Sequence, residues 1–125
     1  MSHHVCLVYC SSDLANLQGA KTVLEQQGLT VTDDNDRLTC VWHDSPQFTI
    51  RFHQQAEVRE AAQKLGEEYP NYRSRLKNCH ARFEISFADL SEVLDEINTL
   101  IEIQLTLQDT MAGIVFTSWN GIIEI

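Results

Sequence analysis

The sequence predicts an α+β fold: a two-layer sandwich of a mainly antiparallel sheet and three amphipathic helices, in the order β-α-β-β-β-α-β-α-β-β. Three observations lead there. Leu38–Trp42, Phe48–His53 and Ala81–Phe87 alternate apolar and polar residues, the period-two pattern of a strand with one face buried. Three longer stretches repeat apolar residues at helical spacing along one side. Asn120-Gly121 stands between two apolar runs, a strong hairpin signal because a type I′ turn needs positive φ at both central residues. Short strands mixed with amphipathic helices imply helices covering one face of the sheet, with the other open to solvent or to a partner.

Val5 to Tyr9 is a continuous apolar run, expected as a central strand. Ser11, Ser12 and Asp13 offer N-caps for a helix whose inner face is Leu14, Leu17, Ala20 and Leu24. Gly28 ends it in the C′ position. A short strand, Leu29–Thr32, leads into the turn Asp33-Asp34-Asn35-Asp36. Leu38, Cys40 and Trp42 alternate with Thr39, Val41 and His43; Asp44-Ser45-Pro46 turns the chain into Phe48–His53. The second helix spans Gln54 to Tyr69, with Val58, Ala61, Ala62 and Leu65 inward and Pro70 as its stop. Asn71–Asn78 is a loop or an irregular turn of helix.

From His80 onward the chain is expected to form a strand, its longest helix and a closing hairpin. Asp89 is the expected N-cap, with Glu92 completing a capping box. Leu90, Val93, Leu94, Ile97, Leu100, Ile101 and Leu105 then form one apolar stripe, which lays the helix Asp89–Gln108 on the sheet. Ala112-Gly113 ends it, Ile114–Trp119 is a strand, and Ile122–Ile125 returns as the last strand, pinned into the sheet to its end.

The length of 125 residues fits a single domain with a real hydrophobic core, and 43% hydrophobic residues exclude a disordered chain. No apolar run approaches the roughly 20 residues that span a bilayer. The N-terminus lacks a basic region followed by an apolar core, from which we expect no export signal and a cytoplasmic location. The four cysteines are then expected as reduced core thiols; Cys6 and Cys10, about 13 Å apart along one strand, cannot pair with each other. A net charge of −9 argues against nucleic acid and acidic lipid as partners and would steer a basic protein. The charge is lopsided: after Arg82 there is no Lys or Arg, while Glu84, Asp89, Glu92, Asp95, Glu96, Glu102, Asp109 and Glu124 all follow.

The sequence shows no recognisable catalytic motif, and we expect no enzyme. There is no Gly-x-Ser-x-Gly and no glycine-rich phosphate loop, and the neighbours Cys79 and His80 would be split across a strand. Asp33–Asp36 does not continue as an EF-hand, since Thr39 stands where the loop needs glycine. His3, His4, Cys6, Cys40, His43, Cys79 and His80 could build a zinc site only if the strands gathered them. Cys40 and His43, three apart on a strand, would point to opposite faces. We therefore expect neither metal nor cofactor. Tyr72, Arg73, Arg75, Lys77 and Arg82 form a basic cluster, expected to pair with the protein's own carboxylates or with a second copy. Trp119, at the tip of the last hairpin, is either an interface anchor or a lid on the core.

The ending, a strand (Ala81–Phe87), a long acidic helix (Asp89–Gln108), then Ala112-Gly113-Ile114-Val115-Phe116 and a Gly-containing hairpin, resembles the immunity proteins that bacteria pair with polymorphic or contact-delivered toxins. The resemblance covers about the last third of the chain. It departs from the pattern in Ala112, where a second Gly is common, and in Trp119-Asn120, where a more polar turn is expected. It implies tight, stoichiometric binding to a toxin domain without catalysis. The expected function is thus an acidic protein-binding module that occludes a basic toxin cleft. The residues expected to meet the partner are Asp33, Asp34, Asp36, Glu92, Asp95, Glu96, Glu102 and Trp119. The alternative is a regulatory domain that binds a metal or small molecule on the open sheet face. A homodimer through that face or the last hairpin is compatible with either.

Overall fold

A computed structural model describes residues 4–42 and 45–123. It has seven strands in one sheet, ordered β2-β3-β4-β5-β1-β6-β7, and every neighbouring pair is antiparallel. The strands are β1 (Cys6–Cys10), β2 (Thr30–Asp33), β3 (Leu38–Val41), β4 (Phe48–His53), β5 (Ala81–Ser86), β6 (Gly113–Thr117) and β7 (Gly121–Ile123). The helices are α1 (Leu17–Gln26), α2 (Ala56–Glu68), α3 (Arg73–Lys77), α4 (Leu90–Asp95) and α5 (Ile97–Thr110), with a 3₁₀ turn at Pro70–Tyr72. The α+β class and the antiparallel sheet expected from the sequence are both present.

Alternation decides which residues meet. On the first face Val8 stands opposite Phe83 and Val115, and Ile85 opposite Cys6 and Ile50. These pack with Leu24 of α1, Val93 of α4, and Leu100, Ile103 and Leu107 of α5 into the main core. On the second face Tyr9 and Ile114 pack with Val58, Ala62 and Leu65 of α2, and with Leu76 and Cys79. The second face is therefore only partly open: α2 and α3 cover its β1–β6 part, because Leu7, Tyr9, Ile114 and Phe116 make that part apolar. Toward β4 the same face carries Thr49, Arg51, Glu84 and Ser86, polar side chains that need no cover.

Several boundaries differ from the sequence expectation. The first helix is capped by Asn16, whose Oδ1 accepts from the Gly19 N–H at 2.7 Å, and not by Ser11, Ser12 or Asp13. Ser12 instead closes its own turn, accepting from the Leu14 N–H, so Leu14 precedes the helix and is 72% exposed. Gly28 does close α1, with φ 94°, its N–H bonded to Glu25 and the Leu29 N–H to Leu24, the Schellman pattern. Asn71–Asn78 folds into the 3₁₀ turn and α3.

The long helix is broken. Asp89 caps α4 through the Ser91 N–H, but Glu96, at φ −118° and ψ 44°, leaves helical geometry and α5 restarts at Ile97. An unbroken helix from Leu90 to Thr110 would run about 31 Å, against about 17 Å for a five-residue strand such as β1. The break folds the overhang onto the core, burying Val93. It also resets the inner stripe to Thr99, Leu100, Ile103, Gln104, Thr106 and Leu107, leaving Leu94 and Ile101 exposed.

The last hairpin differs too. β6 ends at Thr117 and β7 begins at Gly121, so the loop is Ser118-Trp119-Asn120; of Asn120 and Gly121 only Gly121 has positive φ, at 71°. The expected type I′ turn needs both. Ser118 pins this loop to the start of β1, accepting from the Val5 N–H and donating its own N–H to the Val5 carbonyl, both at 2.9 Å. Glu124 and Ile125, expected to finish the last strand, lie outside the described residues.

Candidate protein-binding site

β1 and β2 run the same way along the sheet, because the four antiparallel pairings between them restore the direction. The β2–β3 turn is therefore at the end of the sheet where β1 finishes. The β6–β7 loop is at the other end. They also lie beside opposite edges, and seven strands at about 4.8 Å put those edges about 29 Å apart. All the expected partner-binding residues except Glu102 thus fall at two diagonal corners. Asp33, Asp34 and Asp36 occupy one. Trp119 occupies the other, and Glu92, Asp95 and Glu96 lie toward that end, where β5 hands over to α4 and α5.

The β2–β3 corner is largely self-satisfied. Asp33 Oδ1 accepts from the Asn35 N–H at 3.1 Å, and Asn35 sits at φ 68°, which Asn tolerates. Asp36 accepts from Arg37 Nε at 3.2 Å, and that hydrogen bond with the Arg37 charge holds its carboxyl below the usual range. Much of the charge of Asp36 is thereby answered by its neighbour. Asp33–Asp36 is the hairpin turn that its Asp and Asn content favours.

At the other corner, no ion pair among the described residues involves Glu92, Asp95 or Glu96. An open groove of about 330 Å³ is lined by Leu94, Ile97, Leu100, Ile101, Gln104, Trp119, Asn120 and Ile123. Leu94 is 47% and Ile101 37% exposed. Trp119 is half-buried in an edge-to-face row, its ring 5.8 Å from Phe87 and 6.1 Å from His4, with Phe87 in turn 6.0 Å from Phe48. It packs against the main core, as a lid on its end would, and it also walls the groove. Gln104, 3% exposed, also lines the groove, and its amide donates to Cys6 Sγ at 3.2 Å. Asp95 and Glu96, both exposed, stand in the chain between Leu94 and Ile97. Glu92 is exposed on α4; Glu102 is half-buried, about 100° around α5 from Ile101 and off the groove.

Among the described residues no three His, Cys, Asp or Glu side chains gather to hold a metal ion. Cys6, Cys40 and Cys79 are buried among apolar side chains, Cys79 in a different cluster from the other two. Burial pushes the Cys6 and Cys40 thiols up to about 12 and the Cys79 thiol to about 11, values that suppress thiolate chemistry near neutrality. His3 and His43 lie outside the described residues. In the basic cluster Arg75 lies over the Tyr72 ring and Arg82 over the Tyr9 ring, at 5.9 and 5.8 Å from the centroids. Arg73 and Lys77 share a cleft with Gln63 and Glu67.

What sequence reasoning missed at this corner is the exposure of Leu94 and Ile101. Both belong to the apolar stripe read as inward, but α4 buries only Val93 and α5 buries the face of Thr99, Leu100, Ile103, Gln104, Thr106 and Leu107. No family model matches the chain, and neither curated proteins nor solved structures give a match.

Proposed function

We propose that the protein is an acidic protein-binding module, an immunity protein that occludes the basic cleft of a cognate bacterial toxin from the cytoplasm. The observation that carries this reading is the Trp119 corner, where exposed Leu94 and Ile101 border an apolar groove beside Asp95 and Glu96. Exposed aliphatic side chains next to a fixed aromatic resemble the anchor-and-pocket centre of protein interfaces. Surrounding carboxylates raise the encounter rate with a cationic partner and select against an anionic one. The net charge of −9 supports the same sign of partner.

The test is capture from the native host with this protein as bait, elution by a salt step and identification by mass spectrometry. One basic protein released by salt is the expected result. Capture of nothing basic, in repeated preparations, would overturn the reading.

A second reading, small-molecule binding, is favoured by one observation. The groove volume lies at the small end of the range for ligand sites, and the buried amide of Gln104 is a polar group set in an apolar lining. Native mass spectrometry that finds a bound metabolite, lost on substituting Gln104, would support it.

A further inference from the structure

We propose that the groove at the Trp119 corner receives an extended basic segment of the partner, which pairs along β7 and drops one aliphatic side chain between Trp119 and α5. This deepens the reading of an acidic protein-binding module and rests on it. Three features specify the occupant.

The first is the edge. β7 is the last strand of the sheet, and among the described residues no strand pairs its outer side. An open edge offers backbone N–H and C=O groups to an incoming strand, a recurring mode of peptide recognition. The second is the alternation of β7. Ile123 stands opposite Val115 and packs against the main core, while Ile122 stands opposite Phe116 and packs on the second face, where Tyr69 lies. A strand added beside β7 inherits this alternation. Every second side chain is carried to the face of Ile123, above the groove. The space of about 330 Å³ has room for an aliphatic side chain.

The third is charge. Among the described residues no lysine or arginine lines the groove, and none occurs in the sequence after Arg82. Asp95 and Glu96 adjoin it in the chain, and Glu92 lies one turn before them. An acidic segment would be repelled here. A second copy of this chain would bring the same carboxylates to face themselves, at a like-charge cost. A basic segment gains on both counts.

The test uses the full chain, uniformly ¹⁵N-labelled, titrated with three capped peptides and followed by amide and indole NMR shifts. The peptides are Lys-Ile-Lys-Val-Lys, Glu-Ile-Glu-Val-Glu and Lys-Ser-Lys-Ser-Lys. The first is expected to shift Leu94, Ile97, Ile101, the Trp119 indole and Gly121–Ile123, with an affinity that weakens at least threefold between 50 and about 200 mM salt. The Leu94→Ser/Ile101→Ser variant, altered only at exposed positions, should lose that response while keeping its fold. Equal binding of the Glu peptide would overturn the charge assignment. Equal binding of the Lys-Ser peptide would overturn the use of the groove, as would no shift with any peptide. Concentration-dependent shifts of these residues without peptide would make a second copy the occupant and also overturn the proposal. If a basic partner is captured from the host but the peptides leave the corner unshifted, this inference fails and the acidic-module reading stands. Peptide binding at the corner with no basic partner in the host gives the converse.

Discussion

Gly113 shows how much a single position can constrain this fold. A Cβ built there would lie 2.6 Å from Val8 Cγ1 and 3.2 Å from the Gln108 Cα, so the first residue of β6 fits under α5 only without a side chain. Gly113→Ala is expected to cost about 1–3 kcal/mol as overpacking, read from urea denaturation; a change below about 0.5 kcal/mol would mean that α5 moves freely on the sheet. The thiols give a second residue-scale expectation. Folding raises the Cys6, Cys10 and Cys40 pKa values from 9.0 to about 12 and that of Cys79 to about 11, mainly by burial. Below pH 8 both folded and unfolded thiols are protonated and contribute nothing. Above about 9 the unfolded chain loses protons that the folded chain keeps, so stability falls as pH rises through 9 to 11. The slope reaches about 1.4 kcal/mol per pH unit for each thiol. At pH 9, iodoacetamide followed by intact-mass measurement should leave the native protein unmodified and label all four cysteines in urea. Labelling of the native protein would contradict the burial.

At the scale of elements, the two halves of the expected long helix differ in what holds them. α4 buries Val93 alone, whereas α5 buries Thr99, Leu100, Ile103, Gln104, Thr106 and Leu107. Hydrogen exchange should therefore find the α4 amides opening well before those of α5. Matched protection would mean that the two behave as one helix. Such a mobile α4 would place Leu94 and Asp95 on the more adaptable wall of the groove. The strands were legible because alternation is local: Phe48–His53 was placed to the residue, and Ala81–Ser86 within one. The helix break was not legible, because Leu94, Ile97 and Ile101 keep helical spacing across it. Likewise Asn120-Gly121 signalled a turn, but the bonds between Ser118 and Val5, distant in sequence, make it a three-residue loop.

At the scale of the whole molecule, the sheet order separates what the sequence lists together. A standard interface covers about 800 Å² per partner, a patch about 32 Å across. Centred on the Trp119 corner, such a patch cannot reach Asp33–Asp36 beside the far edge. The acidic character was legible from composition, and so was the interest of Trp119. The division into two corners was not, since it depends on which strands neighbour one another. On the proposed binding at the Trp119 corner, Asp95 and Glu96 would act at the contact, while Asp33 and Asp34 would act only through the long-range field. The most direct measurement is the association rate of the captured partner by stopped flow, at low and high salt. It compares the unaltered protein with Asp95→Lys/Glu96→Lys and Asp33→Lys/Asp34→Lys, which change net charge equally. The corner variant should slow association at least about tenfold at low salt, flatten its salt dependence and speed dissociation, while the turn variant slows association modestly and leaves dissociation unchanged. Equal effects of the two variants, or a larger effect at Asp33 and Asp34, would contradict the assignment of binding to the Trp119 corner.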